Sequence, residues 1–336
     1  MKFLRPVIFF AILIMTLSSC QRNPLKVDIS GILEEVTIVR FDTIISALGT
    51  EPSDDQLLFV REQHPFFTDI YTADLLRIGT LEDSFTRDAM RYFLNDTLIQ
   101  SIYRLTGERL ADLRPLQHEL AQAFKHFRYY FPERPMPIVY VCVSGFNESV
   151  FAVNNLVGIS LDKYLGPDIA YYTLLGIPQY KQRRMETAMI PVDAVHVWMR
   201  DLFPISETAT TLLDHIIYEG VILHAMEAML PSTQDSLING FTAEQLEWCY
   251  ANEAQMWEYL IDNELLYSNR QMDIVRYIGD GPQTNGFPEA SPARTGNWIG
   301  RQIVRRYLKR NPDATLADLL THQNYQEILN QSAYLP

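Results

Sequence analysis

The chain has 336 residues, of which 47% are hydrophobic, and it carries a formal net charge of −13 at pH 7. A chain of this length and composition can bury a large core, as one large domain or as two closely associated ones. The negative charge disfavours nucleic acids and anionic lipid surfaces as partners.

The N-terminus has the pattern of an export signal that ends in a lipidation site. Lys2 and Arg5 precede nine apolar residues, Val7 to Met15, and small residues then lead into Cys20. This apolar run is too short to cross about 30 Å of hydrocarbon as a helix. We therefore predict that residues 1–19 are a cleaved signal peptide and that acyl chains on Cys20 anchor the mature protein stably to a membrane. An uncleaved anchor helix is the alternative.

Beyond the leader, the sequence predicts a tether and one domain. Residues 20–30 are predicted to be the lipidated cysteine with its tether, and residues 31–336 a single helix-rich globular domain, because no repeat and no Ser/Gly-rich or Pro-rich linker divides them. No other segment reaches eighteen apolar residues. Cys142 lies in a strand-like run and Cys249 on an apolar helix face, so both are predicted to be buried free thiols.

The predicted fold class is α+β, dominated by helices and containing one small β-sheet. Strands are predicted over residues 36–41, 137–144, 150–154 and 157–161. The turn at Asn154-Asn155 favours a hairpin between the last two strands. Most of the remaining chain has apolar residues at helical spacing. The predicted helices cover residues 53–63, 82–106, 109–130, 191–202, 207–229, 243–263, 293–310 and 315–330.

Helix-capping residues mark several of these boundaries. Thr242 with Gln245 is the pattern of a capping box. Ser291 before Pro292 predicts a helix cap followed by a first-turn proline, and Pro191 is suited to the first turn of its helix.

Two carboxylates fall within apolar helix stripes. Glu219 lies in the stripe of the helix at 207–229, and Glu253 in that of the helix at 243–263. A carboxylate buried there must be paired, hydrogen-bonded or protonated. Two such acids can hold a metal, serve as acid and base, or join a buried polar network. The network is the commoner case, and its predicted members are Asp193, His196, Glu219, Glu253, Arg294 and Arg301.

The segment before Glu219 is similar to a zinc-protease motif that has lost a ligand. Such a motif needs two histidines one turn apart on a helix with a glutamate beside the first, and often a downstream glutamate. Here His196 stands at the second position, Asp193 replaces the general base, and Glu219 follows at a suitable distance. Val192 stands where the first histidine would be, and valine cannot bind a metal.

One histidine and one glutamate fall short of the three protein ligands that catalytic zinc normally takes. We therefore predict no catalytic residue, no metal and no cofactor. The alternative is a metal-dependent hydrolase or peptidase of zincin type, in which His196 and Glu219 are joined by His215, or by His224, as a non-standard third ligand.

Many short motifs, in order along nearly the whole mature chain, resemble the gliding-motility lipoprotein B family of bacteroidete-type bacteria. They are the leader that ends at Cys20, Arg40-Phe41-Asp42, Tyr129-Tyr130-Phe131-Pro132, Ile159-Ser160-Leu161-Asp162-Lys163-Tyr164-Leu165-Gly166, Ile177-Pro178-Gln179-Tyr180, Leu212-Leu213-Asp214, Tyr218-Glu219-Gly220, Trp248, Asn252-Glu253, Trp257, Leu266-Tyr267-Ser268, Ser291-Pro292, Gly296, Trp298-Ile299-Gly300, Gln302-Ile303-Val304 and Ser332-Ala333-Tyr334-Leu335-Pro336. The helix at 191–202 with Glu219-Gly220 is also distantly similar to predicted proteases of zincin type, which implies a degenerate zincin-like core.

The family resemblance implies a non-catalytic cell-envelope lipoprotein associated with gliding motility and with its linked protein-secretion machinery. Its implied partners are the membrane, through the N-terminal lipid, and envelope motility or secretion proteins. The implied location is the outer membrane, facing the periplasm. Aromatic residues at 127–131 and at Tyr171-Tyr172 are candidates for a contact surface, with core burial as the alternative. A glycan- or peptide-binding lipoprotein is a third hypothesis that no local motif favours.

Overall fold

The computed structural model describes residues 23–336, so the leader and the predicted lipidation site Cys20 lie outside the described residues. Residues 23–30, which belong to the predicted tether, lie against the domain: Leu25 packs on the main core, and the Asn23 side chain donates to the Pro231 carbonyl at 3.4 Å. None of the helices in the described part is long and apolar enough to cross a membrane.

The predicted α+β class is confirmed, with a four-stranded mixed sheet among many helices. The strands are β1 (Ile38–Arg40), β2 (Ile138–Cys142), β3 (Val150–Val153) and β4 (Leu156–Ser160). Their order in the sheet is β1-β2-β4-β3, and only β3 runs antiparallel to its neighbour. The predicted hairpin between β3 and β4 is confirmed. Asn154 and Asn155 have φ values of +48° and +59°, which suits a two-residue turn.

Helices cover both faces of this sheet. Before β2 they are α1 (Phe41–Ser46), α2 (Asp54–Gln63), α3 (Pro65–Asp69), a π-helical turn (Ile70–Leu75), α4 (Ser84–Asn95), α5 (Thr97–Arg109) and α6 (Arg114–Tyr130). After β4 they are a 3₁₀ turn (Leu161–Tyr164), α7 (Ala170–Leu174), α8 (Gln179–Gln182), a second 3₁₀ turn (Thr187–Met189), α9 (Ile190–Leu202), α10 (Leu212–Met229), α11 (Asp235–Asn239), α12 (Ala243–Ala251), α13 (Glu253–Asp262), α14 (Gln271–Ile278), α15 (Thr295–Arg310), α16 (Leu316–Thr321) and α17 (Tyr325–Ser332).

Three predicted helices are each divided in two. The helix predicted at 82–106 is interrupted because the Asp96 side chain accepts from the backbone N–H groups of Leu98 and Ile99 and so caps a new helix, α5. The helix predicted at 243–263 breaks at Asn252, and that predicted at 315–330 breaks between α16 and α17.

Two of the predicted helix starts are confirmed and one is wrong. The Thr242–Gln245 capping box forms, and Pro191 lies in the first turn of α9. The start predicted at Ser291 is wrong, because α15 begins four residues later at Thr295. The carbonyl of Pro292 instead accepts hydrogen bonds from Thr284, which holds this segment as a loop.

The sheet divides the interior into two cores. Alternate residues of β2 point to opposite faces: Val139 and Val141 contact the main core with α6, α9, α10 and α15, whereas Tyr140 and Cys142 contact a smaller core under α1 to α4. Cys142 and Cys249 are both buried and free, as predicted. Burial raises the pKa of the Cys249 thiol to about 12, so it stays protonated and unreactive at neutral pH.

Helices α10 and α15 cross with their backbones in contact. A Cβ atom added at Gly220 would overlap the carbonyl carbon of Gly300, and one added at Gly300 would overlap the carbonyl oxygen of Ile216. A backbone atom cannot rotate away as a side chain can. Only glycine therefore fits at this crossing, which fixes α10 along the centre of the main core.

We predict that Gly300→Ala lowers the free energy of unfolding by about 3 kcal/mol or more, because the methyl group must push the two helices apart. Urea denaturation followed by circular dichroism measures this loss. The matched control is Gly107→Ala in α5, where a Cβ atom meets nothing within 4 Å and where stability should rise slightly. A loss under about 1 kcal/mol for Gly300→Ala, which is the range of an ordinary substitution, would contradict the close crossing.

Candidate functional site

A cavity of about 650 Å³ lies where α9, α10 and the start of α15 meet the loop before β3. Four of the six predicted network residues line it: Asp193, His196, Glu219 and Arg294. Its volume falls within the range of small-molecule sites in proteins. The cavity is therefore the candidate functional site.

Helix α9 supplies one polar wall. Asp193, His196 and Arg200 are spaced three and four residues apart, so all three lie on one face of the helix and line the cavity. The opposite face of α9 is apolar and fully buried, with Trp198 and Met199 in the main core. This division between faces directs the polar residues towards the cavity.

Glu219 on α10 is buried among apolar neighbours and is paired there. Its side chain is 8% exposed, and one carboxylate oxygen forms a short ion pair with the Arg200 guanidinium. Nε2 of His196 lies 4.0 Å from the other oxygen. Burial alone raises the pKa of Glu219, but the neighbouring His196 and the charge of Arg200 outweigh burial, so this pKa lies below its ordinary value. Glu219 is thus held as a carboxylate.

Asp193 is held by two donors of its own. The Tyr164 hydroxyl donates to Oδ2 of Asp193 at 2.9 Å, and Nη2 of Arg184 donates to Oδ1 at 3.1 Å. Burial raises the pKa of Tyr164 well above its ordinary value, so the tyrosine remains a donor. Both carboxylate oxygens of Asp193 are therefore engaged.

Arg294 lines the same cavity and lies immediately before α15. Its Nη2 donates to the Gly240 carbonyl at 3.3 Å, and its buried Nε has no hydrogen-bond partner. Burial, together with the charge of Arg184, lowers the pKa of Arg294 to about 10. This arginine carries a positive charge that the described carboxylates do not approach within 4.0 Å, whereas Arg184 is paired with Asp193.

A buried aspartate holds the loop that forms another wall. Asp162 is fully buried and accepts from the backbone N–H groups of Ser144 at 3.1 Å and Phe146 at 2.5 Å. Gly145 and Phe146 both have positive φ, at +68° and +66°, a conformation that needs such support. The same loop continues into Asn147, which lines the cavity.

The other predicted site residues lie elsewhere. His215 is not among the residues that line the cavity. Glu253 accepts from the Tyr334 hydroxyl at 2.8 Å near the C-terminus. The break at Asn252 starts a separate helix, so the side chain of Glu253 does not continue the apolar stripe of α12. The six residues predicted as one network are therefore divided among different places.

Arg301 belongs to a separate buried ion cluster. Its guanidinium is fully buried and contacts Glu227 at 2.9 Å, and it also pairs with Asp235. Arg305, one turn later on α15, contacts Glu227 at 3.0 Å. The neighbouring His224, 3.6 Å from Glu227, and the charges of the two arginines hold the pKa of Glu227 well below its ordinary value despite its burial. This cluster ties α15 to α10 and α11.

The donor set of the cavity does not fit a zinc site. Among residues 23–336, no three His, Cys, Asp or Glu side chains are placed together so that they could hold one metal ion. Glu219 stands where the downstream zinc ligand of such a motif would be, but its carboxylate is already paired with the Arg200 guanidinium. Catalytic zinc normally takes three protein ligands, and the three metal-binding side chains that α9 and α10 supply to the cavity, Asp193, His196 and Glu219, are not placed close enough together to share one ion.

The aromatic segments suggested as a contact surface are largely core. Phe127, Phe131 and Tyr172 are buried at 0%, 7% and 0% exposure. Within residues 127–131, Tyr129 is the exposed aromatic side chain, at 49%. The alternative of core burial is therefore correct for these three side chains, while Tyr130 and Tyr171 are partly buried against the main core.

The sequence reasoning missed the residue that matters most to Glu219. Arg200 is four residues after His196 and seven after Asp193, and this spacing alone places it on the same helix face. Arg184 and Asn297 carry no comparable signal, because they reach the cavity from the turn after α8 and from the first turn of α15.

Comparison with known proteins gives one match. A family model described as gliding motility protein GldB matches residues 22–336, which is nearly the whole chain. No curated protein and no solved structure matches the chain. The resemblance predicted from the short motifs is therefore confirmed, whereas nothing in these comparisons supports similarity to proteases of zincin type.

The two partners of the buried pair should respond unequally to removal. Arg200→Met leaves the buried Glu219 carboxylate without its guanidinium and should cost about 3 kcal/mol of unfolding free energy. Glu219→Met leaves Arg200, whose side chain is 41% exposed, free to reach water, and should cost about 1 kcal/mol. Urea denaturation of both variants and of the double variant at pH 7 measures these values, and equal losses would contradict the unequal burial.

The pH dependence of the same variants is the control. The lowered pKa of Glu219 means that the folded state binds its proton less readily than the unfolded chain, so the stabilising contribution is complete above the ordinary pKa of 4.5 and is lost as the pH falls through the folded value. The stability difference between wild type and Arg200→Met should therefore shrink in acid. A difference that stays constant with pH would indicate that Arg200 acts only through its contact with Tyr218, whose ring centre lies 5.3 Å from the guanidinium carbon.

Proposed function

The chain belongs to the gliding motility protein GldB family, and from this membership we propose that it is a non-catalytic envelope lipoprotein that serves gliding motility and the linked secretion machinery through protein contacts. The observation that carries the proposal is the match over residues 22–336, since it covers the described domain as a whole rather than a single motif.

The proposed anchor is the lipid on Cys20. The positive start, the apolar run and the small residues before the cysteine together support cleavage and acylation at this position. The proposed location is the outer membrane with the domain facing the periplasm. A lipid anchor suits this domain, because attachment through acyl chains requires no apolar surface on the folded part of the protein.

The proposed lack of catalysis rests on how the carboxylates of the cavity are engaged. Glu219 is neutralised by Arg200, and Asp193 by Arg184 and Tyr164. A general base needs a free carboxylate within reach of the proton it removes. Because both carboxylates are already engaged, we favour a domain that retains the polar residues of this cavity but does not catalyse a reaction with them.

The competing proposal is a metal-dependent hydrolase in which His196 and Glu219 bind a metal with His215 as a third ligand. For this to hold, Arg200 would have to leave Glu219, and His215 would have to turn into the cavity from outside its present lining. The partial exposure of Arg200 is the observation that keeps this arrangement testable, because a side chain that is 41% exposed can move.

Complementation in a gliding host separates the two proposals. We expect a strain that lacks this protein to lose colony spreading and to regain it with the wild-type chain. His196→Ala and Glu219→Gln should restore spreading as well as wild type, because neither removes an anchor or an outer contact. Cys20→Ser should fail, because the protein is no longer held at the membrane.

Immunoblotting of membrane fractions is the control that each variant accumulates. Loss of spreading in both His196→Ala and Glu219→Gln at normal protein levels would contradict the non-catalytic role and favour the hydrolase. Full function of Cys20→Ser would contradict the lipid anchor.

A further inference from the structure

We propose that the cavity binds the carboxylate or phosphate group of a small organic anion between Arg184 and Arg294, with Asn297 as a further polar contact. This inference concerns a ligand rather than a protein partner, and it holds whether or not the protein takes part in gliding.

The two guanidinium groups are immediate neighbours. A Cβ atom added at Gly240 would lie 2.6 Å from Nη2 of Arg294 and 2.8 Å from Cζ of Arg184, so both groups rest against this one glycine. Gly240 has a φ of +65° and ends helix α11. A side chain at this position would displace both arginines. The backbone of the chain therefore makes room for two like charges side by side.

The charge of the pair is only partly compensated. Arg184 has one carboxylate partner, Asp193, which also accepts from Tyr164. Arg294 has no carboxylate within 4.0 Å among the described residues. The Nε atoms of both arginines are buried and have no hydrogen-bond partner. A buried N–H donor without a hydrogen-bond partner is costly to maintain, and an oxyanion is the ligand that guanidinium donors match best.

Asn297 adds an independent polar group. It lines the same cavity, it is only 9% exposed, and its buried Oδ1 has no hydrogen-bond partner. Buried amide groups in folded proteins are almost always hydrogen-bonded. An unpartnered amide oxygen and two unpartnered guanidinium nitrogens, on residues that line one cavity, point to a ligand that carries both acceptors and a donor, such as a carboxylic acid with a neighbouring hydroxyl or amide group.

The backbone of Arg294 is also strained. Its φ of +58° and ψ of +31° place it in the left-handed region, which non-glycine residues seldom adopt. Glycine would be favoured there if only the fold mattered. Strained residues are retained where the side chain has a task. Arg294 therefore lines the cavity despite an unfavourable backbone conformation and despite repulsion from the charge of Arg184.

The lining as a whole suits an anion that is part apolar. Five Lys or Arg side chains line the cavity against four Asp or Glu, although the whole chain has 28 basic and 41 acidic residues. Leu223, Ile238 and Phe241 supply an apolar wall. A small anion with an apolar body fits this combination better than a bare ion does.

Isothermal titration calorimetry of the mature chain in a non-ionic detergent and low-chloride buffer tests the proposal. The probes are inorganic phosphate, N-acetylphenylalanine, and N-acetylphenylalanine amide as the uncharged control. We expect phosphate, N-acetylphenylalanine or both to bind, and the amide not to bind. Binding of phosphate alone identifies a phosphate site, and binding of N-acetylphenylalanine alone a carboxylate site. Failure of both anions to bind the wild-type protein overturns the proposal.

Variants assign the binding to the arginine pair. Arg294→Gln and Arg184→Gln should each weaken binding by roughly tenfold or more, as expected for loss of a charge-assisted hydrogen bond. Arg306→Gln is the matched control, because Arg306 is exposed and lies outside the cavity lining while the change in charge is the same. An equal loss in Arg306→Gln would show that only the net charge matters and would overturn the assignment.

Folding of the variants supplies a separate test. Arg294→Gln removes like-charge repulsion, so its urea midpoint should equal or exceed that of wild type in phosphate-free buffer, as for residues kept for function at the expense of stability. If Arg294→Gln does not fold, Arg294→Lys keeps the charge without the planar fork of donors. Anion binding must weaken in Arg294→Lys too, and unchanged binding there would contradict the proposed site.

Discussion

The crossing of α10 and α15 at Gly220 and Gly300 determines where the polar groups of this protein meet. The two backbones touch there, so helix α10 is enclosed by apolar neighbours over nearly its whole length. Glu219, next to Gly220, is buried and lines the cavity. The same crossing brings the first turn of α15, with Asn297, to that cavity. A close contact between helix backbones thus brings side chains of α10 and α15 into the lining of one site.

Charge within the cavity is arranged in two groups of opposite character. In one group, the charge of Arg200 compensates the Glu219 carboxylate, and His196 lies beside it. In the other, Arg184 and Arg294 lie side by side. Arg184 pairs with Asp193, whereas the acidic side chains that act on Arg294, among them Asp280, form no ion pair with it within 4.0 Å in the described part of the chain. The first group resembles a metal site in which an arginine has taken the place of the cation. The second group has surplus positive charge, and we propose that an anionic ligand supplies the balance.

The sequence predicts those features that depend on local periodicity. The hairpin at Asn154-Asn155 and the capping box at Thr242 follow from turn and cap chemistry over a few residues. The stripe of α10 shows that Glu219 must have a buried partner. The identity of that partner is not local to α10: Arg200 lies on another helix, and only the tertiary crossing of α9 and α10 brings it within contact. The sequence indicates Arg200 only through its spacing: it lies four residues after His196 and therefore on the same face of α9.

Other parts of the site depend on contacts between segments far apart in the sequence, which hydrophobic periodicity does not predict. The sheet order β1-β2-β4-β3 joins strands separated by about a hundred residues of helix. Arg184 and Arg294 meet only because Gly240, in a third segment, leaves space for both. Asp96 ends a helix whose apolar spacing continues past it, because its side chain caps the next helix and so competes with the helical hydrogen bonds. Asn252 ends another such helix, where its side-chain amide donates to the Trp248 carbonyl instead of capping the helix that follows.

The central claim is that Arg200, and not a metal ion, compensates Glu219. Elemental analysis of the purified mature chain, after exposure to zinc and removal of the excess, tests this claim most directly. The account predicts that zinc remains far below one equivalent in folded wild-type protein and is no lower in His196→Ala. Retention of about one equivalent, as expected for a single tight site, and its loss in His196→Ala would contradict the account and make the cavity a metal centre.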